Sequence, residues 1–111
     1  MDDITALRPH PLDAKSTASI RALCRRFGLA RLVLFGSATT DRFEPARSDL
    51  DFLYSFEDRE RADYADAFFG LKDAVQDLFR RPVDLIAEYA VENPYFRAEA
   101  DRTAHRIFPA E

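Results

Sequence analysis

The chain has 111 residues, 47% of them hydrophobic and 13% aromatic, and a net charge of −4 at pH 7, a composition that excludes a disordered chain and supplies one compact core. Twenty Asp and Glu outweigh sixteen Lys and Arg, so affinity resting on neutralised nucleic-acid phosphates is excluded and no direct nucleic-acid binding is expected. The single Cys24 excludes an intramolecular disulfide, no apolar run approaches the ~20 residues of a membrane span, and the acidic Met1-Asp2-Asp3 start is unlike a signal peptide.

A cytoplasmic protein with no membrane partner is therefore expected, with residues 1–111 forming a single domain whose polar start, 1–12, is flexible. From Ala14 to Phe27 the apolar residues Ile20, Leu23, Cys24 and Phe27 recur at helical spacing, and Gly28 supplies a stop. Leu29 to Phe35 is short, branched and apolar, which predicts a buried strand with Gly36-Ser37 directly behind it. A second strand is predicted over Leu50 to Phe56, where Leu50, Phe52, Tyr54 and Phe56 share one face.

Between Arg61 and Arg80 a further stripe, Ala65, Phe68, Leu71, Val75, Leu78 and Phe79, predicts a long amphipathic helix that Pro82 ends. Val83 to Ala87 reads as a third strand. Asn93-Pro94 has the form of an N-cap followed by proline at N1, opening a last helix along Phe96, Ala100, Ala104 and Ile107. This alternation of helices and short strands predicts an α+β (α/β layered) fold with its functional groups near the strand ends.

The chemistry concentrates there. A Gly36-Ser37 turn behind a strand can present backbone N–H groups and a hydroxyl to a phosphate, although alone it is also an ordinary turn. Asp49 and Asp51 open the second strand two residues apart, so strand alternation sends both carboxylates to one face. Carboxylates that close repel one another unless a cation sits between them, and hard oxygens are the ligands Mg²⁺ takes up beside substrate phosphates. Asp84 interrupts the apolar strand Val83-Asp84-Leu85-Ile86, where a charge is unfavourable unless exposed or liganded. Three such carboxylates on one sheet face suit phosphoryl or nucleotidyl transfer with two metal ions.

Gly36-Ser37, then Asp49-x-Asp51, then Asp84 on a following strand resemble the pattern of the minimal nucleotidyltransferases of the DNA polymerase beta superfamily, and the resemblance runs from about residue 15 to the end. It implies a small nucleotidyltransferase fold, a three-stranded mixed sheet packed with about four helices. It further implies that Gly36 and Ser37 hold the triphosphate of ATP, while Asp49, Asp51 and Asp84 ligate two Mg²⁺ ions, Asp84 as ligand or as base. Members of this family serve as antitoxins beside a HEPN-domain toxin, and some transfer AMP from ATP to a toxin tyrosine with release of pyrophosphate; the resemblance implies that role here. The alternative is a non-catalytic antitoxin that neutralises its toxin by binding. The spacer from Ser37 to Asp49 is one residue longer than in many members and carries Thr40-Asp41 where Arg-Gly is common, leaving Arg42 and Arg47 as the arginines expected at the phosphates. Phe43, Phe69, Tyr89, Tyr95 and Phe96 are candidates for a partner interface.

Overall fold

The computed structural model describes residues 13–36 and 49–109. Helix α1 (Ala14–Phe27) starts where Asp13 accepts a hydrogen bond from the Ser16 amide at 2.7 Å, and it ends at Gly28, whose φ of 74° is left-handed. Strands β1 (Leu29–Phe35) and β2 (Leu50–Phe56) follow, then helix α2 (Tyr64–Phe79) and strand β3 (Val83–Ala87). A short 3₁₀ turn (Glu88–Ala90), helix α3 (Pro94–Thr103) and strand β4 (His105–Phe108) complete the order.

The sheet runs β3-β2-β1-β4, with β1 antiparallel to both β2 and β4 and β2 parallel to β3. The α+β class and the mixed sheet agree with the sequence reading, but four strands and three helices stand among the described residues. The difference lies at the end of the chain. Helix α3 stops at Thr103, and Ala104 is extended, so Ile107, expected on the helix stripe, is instead buried on the sheet. Its neighbours His105 and Arg106 remain exposed, and β4 pairs with β1 through Leu32–Phe108 and Leu34–His105. A sheet edge offers backbone partners that a further helical turn would not have used.

Alternation divides each strand between two faces. Leu32, Leu34, Leu50, Phe52, Tyr54, Phe56 and Val83 build the larger core with Ile20 and Cys24 of α1 and Ala67, Leu71 and Val75 of α2. Ala65 is exposed, and Tyr64, Ala67 and Phe68 take the inward positions at the start of α2. Arg21, off the apolar stripe of α1, donates from Nε to the Ile107 carbonyl at 2.8 Å and so ties this helix to β4. On the opposite face Val33, Phe35 and Leu53 pack with Ala100 of α3, flanked by Ile86 and Val91. Among the described residues no helix is long and apolar enough to cross a membrane.

Candidate active site

Asp51 lies on the α3 face of the sheet, because Leu50 and Phe52 on either side of it point into the larger core. Parallel pairing of β2 with β3 then sets Asp51 level with Asp84, and antiparallel pairing of β1 sets it level with Phe35. Two carboxylates separated by 33 positions in the chain thus become neighbours through strand register alone. The start of β3 is fastened beside β2 by the Leu50 amide, which donates to the Pro82 carbonyl at 3.2 Å.

The electrostatics follow from this placement. Asp51 is pushed up from its ordinary 3.8 to about 6, first by partial burial, then by the charge and hydrogen bonding of Asp84, and last by the charge of Asp49. Asp49 itself precedes the strand and is exposed, and Asp84 is exposed at the sheet edge. Among the described residues no three His, Cys, Asp or Glu side chains stand together as a ready-made metal site. The donor chemistry of the Asp51–Asp84 pair nevertheless fits a hard divalent cation, since Asp51 is raised by burial and by its neighbour's charge, and a cation between the two carboxylates offsets both.

Gly36 closes the site from β1. Its φ of 81° is left-handed, and a Cβ built there would sit 3.0 Å from Asp51 Oδ2, so both backbone and space call for glycine. Its N–H donates to Thr103 Oγ1 at 2.9 Å, and the buried Thr103 hydroxyl stands 3.4 Å from the Ala100 carbonyl as well. Gly36 therefore offers the site room for Asp51, while its amide fastens the turn to the end of α3. Thr103 was not legible as a site residue: a threonine in a polar helix end carries no motif, and its partner lies 67 positions away. Ser37, Arg42 and Arg47, expected at the phosphates, and Phe43 lie outside the described residues.

Beside this pair, on the same face, a cleft of about 390 Å³ opens between β3 and α3, lined by Ile86, Ala90, Val91, Glu92, Asn93 and Phe96. The Phe96 ring meets Phe35 edge-on, with centroids 5.6 Å apart and planes at 75°, and so connects the cleft wall to the strand that ends at Gly36.

The chain is similar to several known proteins. A Methanocaldococcus jannaschii protein described as a candidate protein adenylyltransferase is 32% identical over 77 residues, covering 69% of this chain and 74% of its own. A solved minimal nucleotidyltransferase superposes with a TM-score of 0.66 at 28% identity, covering 82% of this chain and 88% of that one. At lower identity the fold is shared with a toxin–antitoxin crystallised with AMP-PNP (TM-score 0.63, 19% identity, 83% and 72% covered). The same holds for the Shewanella oneidensis complex of a tri-AMPylated HEPN toxin with its MNT antitoxin (0.58, 17%, 85% and 70%). Residues 18–107 match the nucleotidyltransferase domain, from within α1 to β4 and across every strand that shapes the carboxylate site, and the chain accordingly belongs to the nucleotidyltransferase domain family, as an enzyme of nucleotidyl transfer.

Proposed function

We propose that this protein is a Mg²⁺-dependent adenylyltransferase that moves AMP from ATP to a tyrosine hydroxyl of a HEPN-domain toxin and thereby acts as its antitoxin. The observation that carries the reading is the Asp51–Asp84 pair, set level by parallel strands beneath a glycine turn, in a chain of the nucleotidyltransferase family. The protein adenylyltransferase description of one relative supports protein as the acceptor, and the AMPylated toxin bound to a protein of this fold supports the toxin.

In this reading Asp51 and Asp84 hold the metal, with Asp49 adding charge and a further oxygen donor, and two ions are bound. Mg²⁺, when bound, supplies positive charge to the triphosphate and to the attacking oxygen. The remaining work belongs to the chain. Gly36 shapes the turn from which Ser37 meets the triphosphate, and Arg42 and Arg47 add cations along it. Thr103 holds the glycine turn in place through the Gly36 amide. The acceptor oxygen attacks the α-phosphorus, the bond from that phosphorus to the bridging oxygen breaks, and pyrophosphate leaves. The proton of the acceptor hydroxyl passes to the carboxylate of Asp84.

Intact-mass spectrometry of the partner tests this, with the partner co-expressed beside wild-type protein or beside Asp49→Asn/Asp51→Asn. An increment of one or more AMP on the partner, present with wild type and absent with the double variant, is the expected result. A partner that co-purifies unmodified with both would overturn the enzymatic reading in favour of neutralisation by binding.

A further inference from the structure

We propose that Tyr95 is itself an acceptor of AMP, modified in trans by a second copy of this chain. The proposal rests on the transfer to a tyrosine hydroxyl proposed above and adds a modification site on the enzyme. The chain has four tyrosines, and the structure sorts them by the freedom of their hydroxyls. Tyr54 is buried, with its hydroxyl 2.7 Å from that of Tyr64. The Tyr64 hydroxyl in turn stands 3.1 Å from that of Tyr89, whose ring lies under the Arg59 guanidinium at 4.2 Å. A phenol in this chain must give up a hydrogen bond before it can attack a phosphorus. Tyr95 takes no part in it and is 86% exposed.

The backbone that carries Tyr95 is fixed. It follows Pro94 at the start of α3, and its amide donates to Asn93 Oδ1 at 2.8 Å, so the ring projects from a capped helix end. The next residue, Phe96, turns its ring toward the sheet, edge-on to Phe35, which is level with Asp51. Successive helix residues point about 100° apart, so Tyr95 turns outward where Phe96 turns in. Helix α3 reaches the carboxylates only at its other end, where Thr103 meets the Gly36 amide, eight residues and about 12 Å further along the axis. A hydroxyl that distant from its own carboxylates, and aimed away from them, is presented to another molecule.

The step balances as ordinary nucleotidyl transfer. Tyr95 Oη of one copy bonds to the α-phosphorus of ATP held by the other, and the bond from that phosphorus to the bridging oxygen breaks. Pyrophosphate leaves with the electron pair, and the phenolic proton passes to the Asp84 carboxylate of the acting copy. The product is a phosphodiester on Tyr95, beside the cleft-lining Asn93 and Phe96.

Intact-mass spectrometry and peptide mapping of the protein incubated with MgATP test this. One AMP is expected on wild type, mapped to Tyr95 and absent from Tyr95→Phe, with an initial rate per molecule that rises in proportion to protein concentration. Wild type mixed with isotope-labelled Asp51→Asn is expected to place AMP on the labelled chain, which keeps Tyr95 but lacks the carboxylate pair. A concentration-independent rate with no AMP on the labelled chain overturns modification in trans. AMP on Tyr89 or another residue in place of Tyr95 overturns the site. A wild-type chain that stays unmodified while its HEPN-domain partner gains AMP overturns this proposal and leaves the transfer reading standing, whereas AMP on neither removes both. Tyr95→Phe is expected to melt as wild type does, because its hydroxyl lies in solvent, so a missing increment in that variant reports the lost acceptor.

Discussion

The two faces of the sheet are made from the same strands and serve opposite ends. On one, α1 and α2 cover a continuous apolar surface whose centre, Phe52, Leu71 and Val75, is fully buried. Its rim is closed by a chain of phenols, Tyr54 to Tyr64 at 2.7 Å and Tyr64 to Tyr89 at 3.1 Å, and by Arg61, which donates to the Phe27 carbonyl at 2.7 Å and pairs with Asp63. On the other, among the described residues, α3 covers a small cluster, and Asp51, Asp84 and the cleft lie beside it. Stability is concentrated on the first face, and the second gives up apolar burial to keep like charges side by side. A site built from mutually repelling carboxylates can persist in a small protein when the opposite face supplies the cohesion.

That contrast can be broken residue by residue. The largest effect is expected on the α3 face, where Asp51→Asn should reduce nucleotidyl transfer by about 10³-fold. Its thermal midpoint at neutral pH should be no lower than wild type, because the substitution removes a charge that the folded state disfavours. Transfer assays beside a melting curve check both halves, and a cooperative fold lost in Asp51→Asn would erase the distinction between the faces. On the other side of the comparison, Phe52→Ala empties the centre of the larger core and should cost about 3–5 kcal/mol in denaturant titration.

Thr103→Val joins the two themes, since it leaves the Gly36 amide without its hydroxyl partner at the edge of the site. A loss of about 1–3 kcal/mol in stability is expected, together with a fall in kcat that Thr103→Ser restores. A purely structural threonine would lower stability without that kinetic rescue. Smaller still, Tyr64→Phe breaks the phenol chain and should cost about 1 kcal/mol while leaving transfer unchanged.

A further difference between the faces is one of sign. In metal-free protein the folded-state value of Asp51, about 6, stands above its ordinary 3.8, so the native state holds the proton more tightly than the unfolded chain. Its contribution is fully present below pH about 4 and is lost as pH rises through 6. Asp13, capping α1 on the closed face, runs the other way: the Ser16 amide lowers it, so its contribution is present above the ordinary 3.8 and is lost as pH falls through the lowered value. Denaturant midpoints of wild type, Asp51→Asn and Asp13→Ala across this range, in chelator, should show opposite changes in slope. Parallel curves for the two variants would refute the assignment of cohesion and repulsion to opposite faces.

Sequence by itself determined what depends on near neighbours. Helix α1 has the bounds its stripe and Gly28 predict, and β1, β2 and β3 fall where branched residues and alternation place them, because side-chain period and caps act over a few positions. The order Gly36, Asp49, Asp51, Asp84 pointed to the chemistry of the family, since acidic residues in apolar strands have few structural reasons to be there. Tertiary structure alone decided the rest. The level pairing of Asp51 with Asp84 required a parallel register that no local pattern specifies. The last residues became β4 because the free edge of β1 was available to them, and Thr103 acquired its role from an amide 67 positions away. The cleft beside Asp84 exists because α3 crosses the sheet without covering it, and that space belongs to the packing of distant elements, which periodicity and spacing do not encode.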